Sequence, residues 1–491
     1  MSAAAAYATL APVTDRRDPS PAVDGGLDRG LTADELVTAS GGTLLTRSDR
    51  PILGGAVDSR EVQPGNLFVA LPGERTDGHR FVGVALEAGA AGVLVARAPE
   101  DVDLSAVDAT VVRVDDPLLG LQAVASAWRT RFDPLVVGIT GSIAKTSTKE
   151  AVATVLGAAM PTLKNEGNLN NEIGLPLTVL RLRSSYRAAV LEMGMYVGGE
   201  IRDLAAIGRP EIGIVTAVQP VHLSRIGTIE AIERAKGELV EALPPDGVAI
   251  LNADDERVRR MASRARAWVM TYGFADDADV RAENVLSRGA DGMAFDVVAG
   301  HDRRRAEVPT LGRLAVHNAL AAVAAGLAAG VPLDAIGTAL ARGWSAPHRA
   351  QLVHAGDVTI VDDSYNASPA SVAAALEILA GLPGRRVAVL GEMLELGSDH
   401  EDGHRRTGEA AAAVADELVV VGEGAAPIAS GARAAGMTAD RVTLAPDRDA
   451  ARDRLVGMLR PGDVVLVKAS RGIELDVLVD ELVAALGGAA A

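Results

Sequence analysis

A short β-branched run followed by small residues and a Lys-Thr pair constrains this chain more than any other feature. Residues 136–149 read VVGITGSIAKTSTK, which predicts a buried strand, a tight loop and a helix that opens at Lys145 and Thr146. In such a unit the loop N–H groups and the helix dipole attract phosphate, the lysine reaches the β and γ oxygens, and the threonine hydroxyl can hold Mg²⁺. The strict phosphate-loop pattern is not met, because Ile139 and Ala144 stand where it has glycine. Local spacing therefore leaves both nucleotide binding and an ordinary strand–helix turn open.

Length and composition favour a cytoplasmic α/β protein of several domains. The 491 residues are 48% hydrophobic and only 3% aromatic, which is typical of a folded chain rich in Ala, Val and Leu. The net charge of -17 argues against a nucleic-acid or anionic-membrane surface, and the lack of cysteine excludes disulfides and thiolate chemistry. Met1–Thr14 has no basic region typical of a signal peptide, and the longest apolar run, Ala319–Leu333, is too short to span a bilayer.

The chain divides by pattern into a loose tail, residues 1–30, and three α/β regions at 31–133, 134–345 and 346–491. Thr32 is a plausible N-cap for a helix over Ala33–Ser40. Strands alternate with helices in the second region, which predicts a largely parallel sheet, and in the third, which predicts a doubly wound domain. The strands expected are Asn66–Leu71, Gly92–Ala96, Ala188–Glu192, Ile212–Val218, Val248–Asn252, Ala267–Tyr272, Val358–Val361, Arg386–Leu390, Glu417–Val421 and Asp463–Val467, and the helices include Phe81–Ala90 and Pro117–Arg131.

Polar groups that follow the predicted central strands are candidates for a site. Asn165–Pro176 is a loop dense in amides and carboxylates, which is either a solvated turn or part of a site. Glu192 ends a buried strand, at the sheet edge where parallel α/β proteins commonly hold Mg²⁺. His222 follows the next strand and is either a second ligand or a structural histidine, and Lys236 reads by default as a solvated helix lysine.

Two polar segments in the last region have a similar double meaning. Asp362–Ala367 ends a strand with Asp-Asp-Ser-Tyr-Asn-Ala, which fits either a binding site or helix capping by Asp363 or Ser364. Lys468 and Arg471 flank a serine at the end of the last strand, and two cations at a helix N-terminus suit a carboxylate ligand.

Together these segments resemble the Mur ligase family over roughly residues 50–485. The motifs that carry the resemblance occur in family order along the chain. They are Asp58-Ser59-Arg60, Asn66–Leu71, Asp77-Gly78-His79, the loop at Lys145, Glu166–Pro176, Glu192-Met193-Gly194, Ala235–Glu238, Asp362–Ala367, Leu390–Gly397 and Lys468–Arg471.

The resemblance implies an α/β fold of three domains: an N-terminal one for a UDP-sugar, a central P-loop-type parallel-sheet ATPase, and a C-terminal Rossmann-like doubly wound domain. It implies an ATP-dependent amide ligase of peptidoglycan precursor synthesis, with UDP-MurNAc-tripeptide and D-Ala-D-Ala as partners and no nucleic acid or membrane insertion. ATP would phosphorylate the tripeptide carboxylate, and the dipeptide amine would attack the acyl phosphate. A monomer is expected.

The resemblance also assigns roles to residues of this chain. Lys145, Lys236, His222 and Arg349 would be catalytic, and Thr146, Glu192, His222 and a CO₂-derived carbamate on Lys236 would hold Mg²⁺. ATP would lie against Gly141, Ser142, Ala144, Lys145, Thr146, Ser147, Asn318, Arg349 and Asp363, with Arg349 and Asp363 brought in by domain closure. The other substrates would contact Asp58, Ser59, Arg60, Asn170, Asn171, Ser364, Tyr365, Asn366, Lys468 and Arg471.

The chain departs from the family pattern around the nucleotide. Ala144 stands in place of the loop glycine, and if that position needs a positive φ its methyl group costs on the order of 1 kcal/mol. Ala217, Leu314, Ala315 and Ala469 are further departures. Two alternatives therefore stay open: a paralogous amide ligase with another acceptor amine, and a weakened relative that binds nucleotide or UDP-sugar without catalysis. The sequence does not distinguish diaminopimelate from lysine as the third residue of the tripeptide.

Overall fold

A computed structural model describes residues 28–73, 76–220 and 226–487, and its strands form three separate sheets. The predicted α/β class with three domains is confirmed. Residues 1–27 of the predicted tail lie outside the described residues, whereas Asp28 accepts hydrogen bonds from the Ser184 backbone N–H at 2.8 Å and its hydroxyl at 2.5 Å. We propose 31–133, 134–345 and 346–491 as the domain limits, because each range holds one whole sheet.

The N-terminal sheet has five strands in the order β1-β5-β4-β3-β2, parallel except for the β1–β5 pair. Thr32 caps the first helix as predicted, in a capping box with Glu35. The helix predicted over Phe81–Ala90 is a 3₁₀ turn over Gly78–Phe81 followed by a shorter α-helix. The elements are β1 Thr43–Thr46, β2 Gly55–Ala56, β3 Leu67–Val69, β4 Gly92–Val95 and β5 Thr110–Arg113, with α1 Ala33–Ser40, α2 Val82–Glu87 and α3 Pro117–Arg129.

The central sheet has nine strands in the order β14-β13-β12-β11-β10-β9-β6-β8-β7. Its strands are β6 Leu135–Thr140, β7 Thr162–Lys164, β8 Ala188–Glu192, β9 Ile212–Val215, β10 Val248–Asn252, β11 Trp268–Gly273, β12 Val280–Ser287, β13 Met293–Ala299 and β14 Asp302–Val308. Its helices are α4 Lys145–Ala159, α5 Gly174–Val179, α6 Glu200–Gly208, α7 Ile229–Ala242, α8 Glu256–Arg260, α9 Gly312–Ala328 and α10 Leu333–Leu340.

The central sheet is parallel from β7 to β12 and ends in an antiparallel meander, β12–β14, that the sequence analysis did not predict. The outer strand β14 exposes Asp302–Arg305 in succession, so it lacks the apolar run by which the inner strands were recognised. Charged side chains on an exposed edge strand also oppose pairing with other chains.

The C-terminal sheet has six strands in the order β15-β16-β20-β17-β18-β19, parallel except for the edge pair β15–β16. This is the predicted doubly wound arrangement with one added antiparallel edge strand. The elements are β15 Gln351–Ala355, β16 Val358–Asp362, β17 Arg386–Gly391, β18 Glu417–Val421, β19 Val442–Ala445 and β20 Val464–Lys468, with α11 Pro369–Ala380, α12 His400–Ala412, α13 Ala426–Ala434, α14 Arg448–Met458 and α15 Leu475–Gly487.

Strand register brings the candidate residues to one edge of the central sheet. Strand β6 lies between β8 and β9, with Ile139 opposite Glu192 and Thr140 opposite Val215. The loop after β6 and the carboxylate that ends β8 therefore lie side by side. Within the described part of the chain, no helix has the length and apolar character needed to cross a lipid bilayer.

Candidate active site

The loop after β6 makes its tightest approach at Gly141. A Cβ on that residue would lie 1.8 Å from Thr216 Oγ1, and the backbone φ is +151°, so glycine is required by both space and conformation. Ser142 fixes the loop further, because its N–H donates to Ala217 O at 2.8 Å and its hydroxyl donates to Gln219 O at 3.1 Å. The loop is therefore bound to the chain that follows β9.

Ala144 adopts the left-handed conformation, with φ 65° and ψ 0°, at the N-cap of α4. The position therefore needs the positive φ that favours glycine, and the methyl group of Ala144 carries a penalty on the order of 1 kcal/mol relative to glycine. No side-chain hydrogen bond caps the helix at this residue. The backbone thus keeps a glycine-type geometry although a methyl group is present.

Lys145 opens α4 and folds back over the loop, where its ammonium donates to Gly141 O at 2.8 Å. Burial lowers the pKa of Lys145; the nearby Glu192 carboxylate opposes this effect, and the Arg349 guanidinium adds to it. Two cations thus lie near one another beside the loop. A phosphate chain would supply the negative charge that this arrangement lacks.

Glu192 is 1% exposed and accepts two hydrogen bonds from different elements. Thr146 Oγ1 donates to its Oε2 at 2.9 Å, and Asn170 Nδ2 donates to its Oε1 at 2.6 Å. The Glu192 carboxylate at the end of β8 and the Thr146 hydroxyl in the first turn of α4 are hard oxygen donors, and they fit the ligand preference of Mg²⁺. The grouping of Thr146 with Glu192 agrees with the sequence prediction.

Lys236 lies on α7 and is 3% exposed, so the default interpretation as a solvated helix lysine is wrong. Burial lowers its pKa well below 10.5, and the charge of Lys145 lowers it further. Among the described residues its ammonium makes no hydrogen bond or ion pair. His222, the other predicted ligand, lies outside the described residues.

A cleft of about 440 Å³ opens between the loop and the C-terminal domain. It gathers residues predicted from both sides of the domain junction, together with Leu314 and Ala315. The predicted residues on its wall are Ser142, Ala144, Ser147, Asn318, Arg349, Asp363, Tyr365, Asn366, Lys468 and Arg471. Asn318 is held there by Thr148, whose hydroxyl donates to its Oδ1 at 2.9 Å, which leaves the amide nitrogen for other acceptors.

Arg349 is fixed by its neighbours at the junction. His348 and Ala350 on either side have φ of 58° and 51°, and both are tied to the end of β16: His348 Nδ1 lies 2.7 Å from Asp362 Oδ2, and Ala350 N–H donates to Asp363 Oδ1 at 3.1 Å. The Arg349 guanidinium lies 4.2 Å from the centre of the Tyr365 ring, a cation–π contact.

Lys468 is buried at the end of β20 and uses its ammonium inside the domain. It donates to Asp363 Oδ2 at 2.7 Å and to Asn366 O at 2.8 Å. Arg471 is exposed and lies 5.7 Å from the Tyr365 ring centre, with an ion pair to Asp476 at 2.5 Å. Of these two cations, Arg471 is the more accessible from the cleft.

Ser364 is 1% exposed, and its hydroxyl donates to Asp362 Oδ1 at 2.5 Å. The alternative that Asp363 or Ser364 caps a helix is wrong, because Ser368 caps α11. The Asp-Asp-Ser segment instead organises the strand end: Asp362 binds His348 and Ser364, and Asp363 binds Lys468.

The residues predicted for the UDP-sugar lie in the N-terminal domain, on the 3₁₀ turn Ser59–Glu61. Asp58 caps this turn by accepting from the Arg60 N–H at 2.9 Å, and the two side chains form an ion pair at 2.5 Å. The Arg60 contacts lower the pKa of Asp58 to about 2. Asn171 Oδ1 accepts at 2.9 Å from the N–H of Gly174, the first residue of α5.

Sequence reasoning gave no role to Lys149, which supports the site from behind together with Asn165 of the candidate loop Asn165–Pro176. Lys149 is 0% exposed, and its ammonium donates to Asn165 O at 2.8 Å. The side chain of Asn165 is bonded in turn to the backbone of Glu192. Lys149 follows Lys145 by four residues and so shares a helix face with it, which is the only signal in the sequence.

Comparison with known proteins covers most of the chain. Residues 139–326 match the Mur ligase middle domain, residues 348–471 the Mur ligase glutamate ligase domain, and residues 53–129 the Mur ligase family catalytic domain. The chain is 36% identical to UDP-N-acetylmuramoyl-tripeptide–D-alanyl-D-alanine ligase of Escherichia coli K12, covering 87% of this chain and 92% of that protein. It is 35% identical to the Bacillus subtilis 168 protein of the same name, covering 88% and 93%.

Solved structures give the same result. A crystal structure of MurF from Acinetobacter baumannii superposes with a TM-score of 0.82 at 29% identity, covering 92% of this chain and 98% of that one. MurF ligase from Thermotoga maritima in complex with ADP superposes with a TM-score of 0.78 at 28% identity, covering 89% and 99%.

Proposed function

This chain belongs to the Mur ligase family, and from that premise we propose that it uses ATP to join D-Ala-D-Ala to UDP-MurNAc-tripeptide in peptidoglycan precursor synthesis. The observation that carries the proposal is a set of neighbouring groups: the Lys145 loop, the Thr146–Glu192 pair and the buried Lys236, which has no partner among the residues that the structure describes. This is the set that phosphoryl transfer onto a carboxylate needs, because two anions must approach each other.

The reaction proceeds in two steps. A carboxylate oxygen of the tripeptide attacks the γ-phosphorus of ATP, which forms an acyl phosphate and releases ADP. The dipeptide amine then attacks the acyl carbon, loses a proton, and expels inorganic phosphate as the amide bond forms. Lys145 and Arg349 lower the repulsion in the first step, since both cations lie beside the loop that would hold the phosphates.

Mg²⁺ would be held by Thr146 and Glu192, with His222 as a further candidate ligand outside the described residues. When bound, the ion supplies positive charge to the phosphate oxygens. Asn170 keeps the Glu192 carboxylate oriented, since its amide donates to Oε1. Asn318 would donate from its amide nitrogen to the nucleotide, since that nitrogen has no acceptor in the described ranges, and Asp363 lies on the same cleft wall.

Lys236 would take up CO₂ as a carbamate. Because burial lowers the pKa of the Lys236 amine, the amine stays neutral down to a lower pH than an exposed lysine does. The neutral amine is the nucleophile that attacks CO₂. The N–C bond forms with loss of one proton, which converts a group unfavourable for a metal into a carboxylate-like ligand. The absence of any partner among the described residues supports this role, because a lysine kept only for structure would be paired.

The remaining contacts follow from the accessible polar groups. Arg471 would bind the carboxylate of D-Ala-D-Ala, with Tyr365 and Asn366 on the same wall of the cleft. Asp58, Ser59 and Arg60 would contact the UDP-sugar from the N-terminal domain. We further propose a monomeric, cytoplasmic enzyme.

The test is phosphate release from ATP by the purified protein in Mg²⁺ and bicarbonate, with UDP-MurNAc-tripeptide and with or without D-Ala-D-Ala. We expect release that requires both substrates, and a pentapeptide product by mass spectrometry. Activity only with another amine would favour the paralogous ligase. ADP binding without release under any pairing would favour the non-catalytic alternative, which the strained Ala144 also favours.

A further inference from the structure

The proposed reaction leaves one fully buried cation of the central domain without a role. Lys149 lies on α4 one turn after Lys145 and is 0% exposed. A lysine buried to this degree is costly unless its three donors are satisfied. Its location on the phosphate-binding helix makes its partners informative.

All of the Lys149 contacts lie at the end of β7 and at the start of α4. Its ammonium donates to Asn165 O at 2.8 Å and to Gly167 O at 3.2 Å, and it forms an ion pair with Glu150 Oε1 at 3.1 Å. Two of the three partners are backbone carbonyls of the loop 165–171. Lys149 therefore fixes the backbone of this loop, because its hydrogen bonds to the loop go to carbonyl oxygens and not to side chains.

The loop in turn holds both the backbone and the carboxylate of Glu192. Asn165 accepts from the Glu192 N–H at 2.9 Å and donates to Glu192 O at 3.1 Å and to Leu169 O at 2.8 Å. Asn170 donates to Glu192 Oε1 at 2.6 Å. Asn168 of the same loop lies on the wall of the cleft. A continuous series of contacts thus runs from Lys149 through the loop to the proposed metal ligand.

We propose that Lys149 is a positioning residue for the metal site: by binding the carbonyls of Asn165 and Gly167, it fixes the loop that orients the Glu192 carboxylate. The inference rests on the proposed function, because it gives Glu192 the role of metal ligand. Lys145 and Lys149 lie four residues apart on one helix and have different roles in this proposal. Lys145 would contact the phosphates, and Lys149 fixes the loop that orients Glu192.

If Lys149 had only a structural role, a different result would be expected. Its loss would loosen the whole loop and weaken nucleotide binding with and without metal to the same extent. A positioning residue for Glu192 affects the part of binding that depends on Mg²⁺, because metal affinity falls when the groups that orient a ligand are removed. The difference between the two binding constants separates these roles.

The experiment is calorimetric binding of ADP to the full-length protein, with Mg²⁺ and with EDTA, for wild type, Lys149→Met and Lys164→Met. Lys164 is the matched control, since it pairs with the same Glu150 carboxylate but makes no hydrogen bond to the carbonyls of Asn165 and Gly167. We expect Lys149→Met to reduce the Mg²⁺-dependent gain in affinity by about tenfold or more and to change the metal-free affinity less than about twofold. Lys164→Met is expected to leave both constants unchanged.

An equal loss in both conditions, or an unchanged gain from Mg²⁺, would overturn the inference. If Lys149→Met does not fold, Lys149→Arg decides: the charge remains, but a planar guanidinium does not reproduce the ammonium contacts, so loss of the Mg²⁺-dependent gain supports positioning and its retention refutes it. A wild-type protein that binds ADP equally well with and without Mg²⁺ would instead refute the metal site of the proposed function.

Discussion

Two buried lysines, one in the C-terminal domain and one in the central domain, have opposite surroundings. Lys468, at the C-terminal strand ends, donates to a carboxylate and to a loop carbonyl, and the neighbouring Asp362 is bonded to both His348 and Ser364. Lys236, in the central domain, has no partner among the described residues, and its pKa is lowered well below 10.5 by burial. The Lys468 ammonium is therefore compensated by its neighbours, whereas the Lys236 amine has no such contact within the described part of the chain.

The difference indicates which buried charge stabilises the fold and which one is kept for chemistry. Burial of a charge is tolerated when hydrogen bonds compensate it, as at Lys468, and an uncompensated group persists where chemistry needs it. Ala144 repeats the pattern, because its left-handed conformation has no side-chain cap, whereas the left-handed residues beside Arg349 are tied to the end of β16.

The largest effect is expected from Lys236→Met. It should reduce ATP-dependent ligation by about 10³-fold, on the order of 4 kcal/mol in the barrier, because the carbamate can no longer form. Lys236→Arg keeps the positive charge and should lose the same activity, whereas the half-exposed Lys164→Met should not. Phosphate-release rates measure this, and an active Lys236→Arg enzyme would contradict the carbamate.

Lys468→Met should have the opposite profile. It leaves the Asp363 carboxylate without its cation, so the free energy of unfolding should fall by about 3 kcal/mol. Urea unfolding gives this value, and Lys236→Met, measured in parallel, should show no such loss. Equal destabilisation by the two variants would remove the distinction between the two regions.

The pH dependence of stability sharpens the comparison further. In CO₂-free buffer the unfolded chain holds a proton on Lys236 up to about pH 10.5, whereas the folded chain releases it at lower pH. Between these pH values the unfolded state binds more protons, so wild-type stability rises with pH. Lys236→Met lacks that slope, of at most about 1.4 kcal/mol per pH unit, and should be more stable than wild type at neutral pH. Urea titrations of both proteins from pH 7 to 10 test this. The same change in the free energy of unfolding with pH in the two proteins would refute it.

The smallest effect is expected at the loop. Ala144→Gly should raise the free energy of unfolding by about 1 kcal/mol, since glycine adopts a φ of 65° without penalty. Ala158→Gly, in the last turns of the same helix, should lower it by up to about 1 kcal/mol and is the matched control. Two changes of the same sign would mean that the left-handed conformation carries no strain.

Residues at strand ends were predictable from sequence, whereas burial on helices was not. Thr146 and Glu192 meet because parallel strands end at one sheet edge, which the pattern of buried runs already implied. Lys236 lies in a charged helical segment that looks solvated, and only the fold buries it. The contacts of Lys149 also depend on tertiary structure, because its partners are backbone carbonyls that carry no sequence signal.

The sequence predictions of the α11 cap and of the edge strands were wrong for local reasons. Ser368 caps α11 because the helix begins only at Pro369, and the side chains of Asp363 and Ser364 are bound at the strand end instead. The meander β12–β14 was missed because its outer strand exposes Asp302–Arg305 in succession instead of forming an apolar run.

Carbon-13 NMR of the protein in [¹³C]bicarbonate with Mg²⁺ and ADP tests the role of Lys236 most directly. We expect a carbamate signal in the wild type that is absent from Lys236→Met and retained in Lys164→Met. No carbamate signal in the wild type, or an equal signal in Lys236→Met, would contradict it.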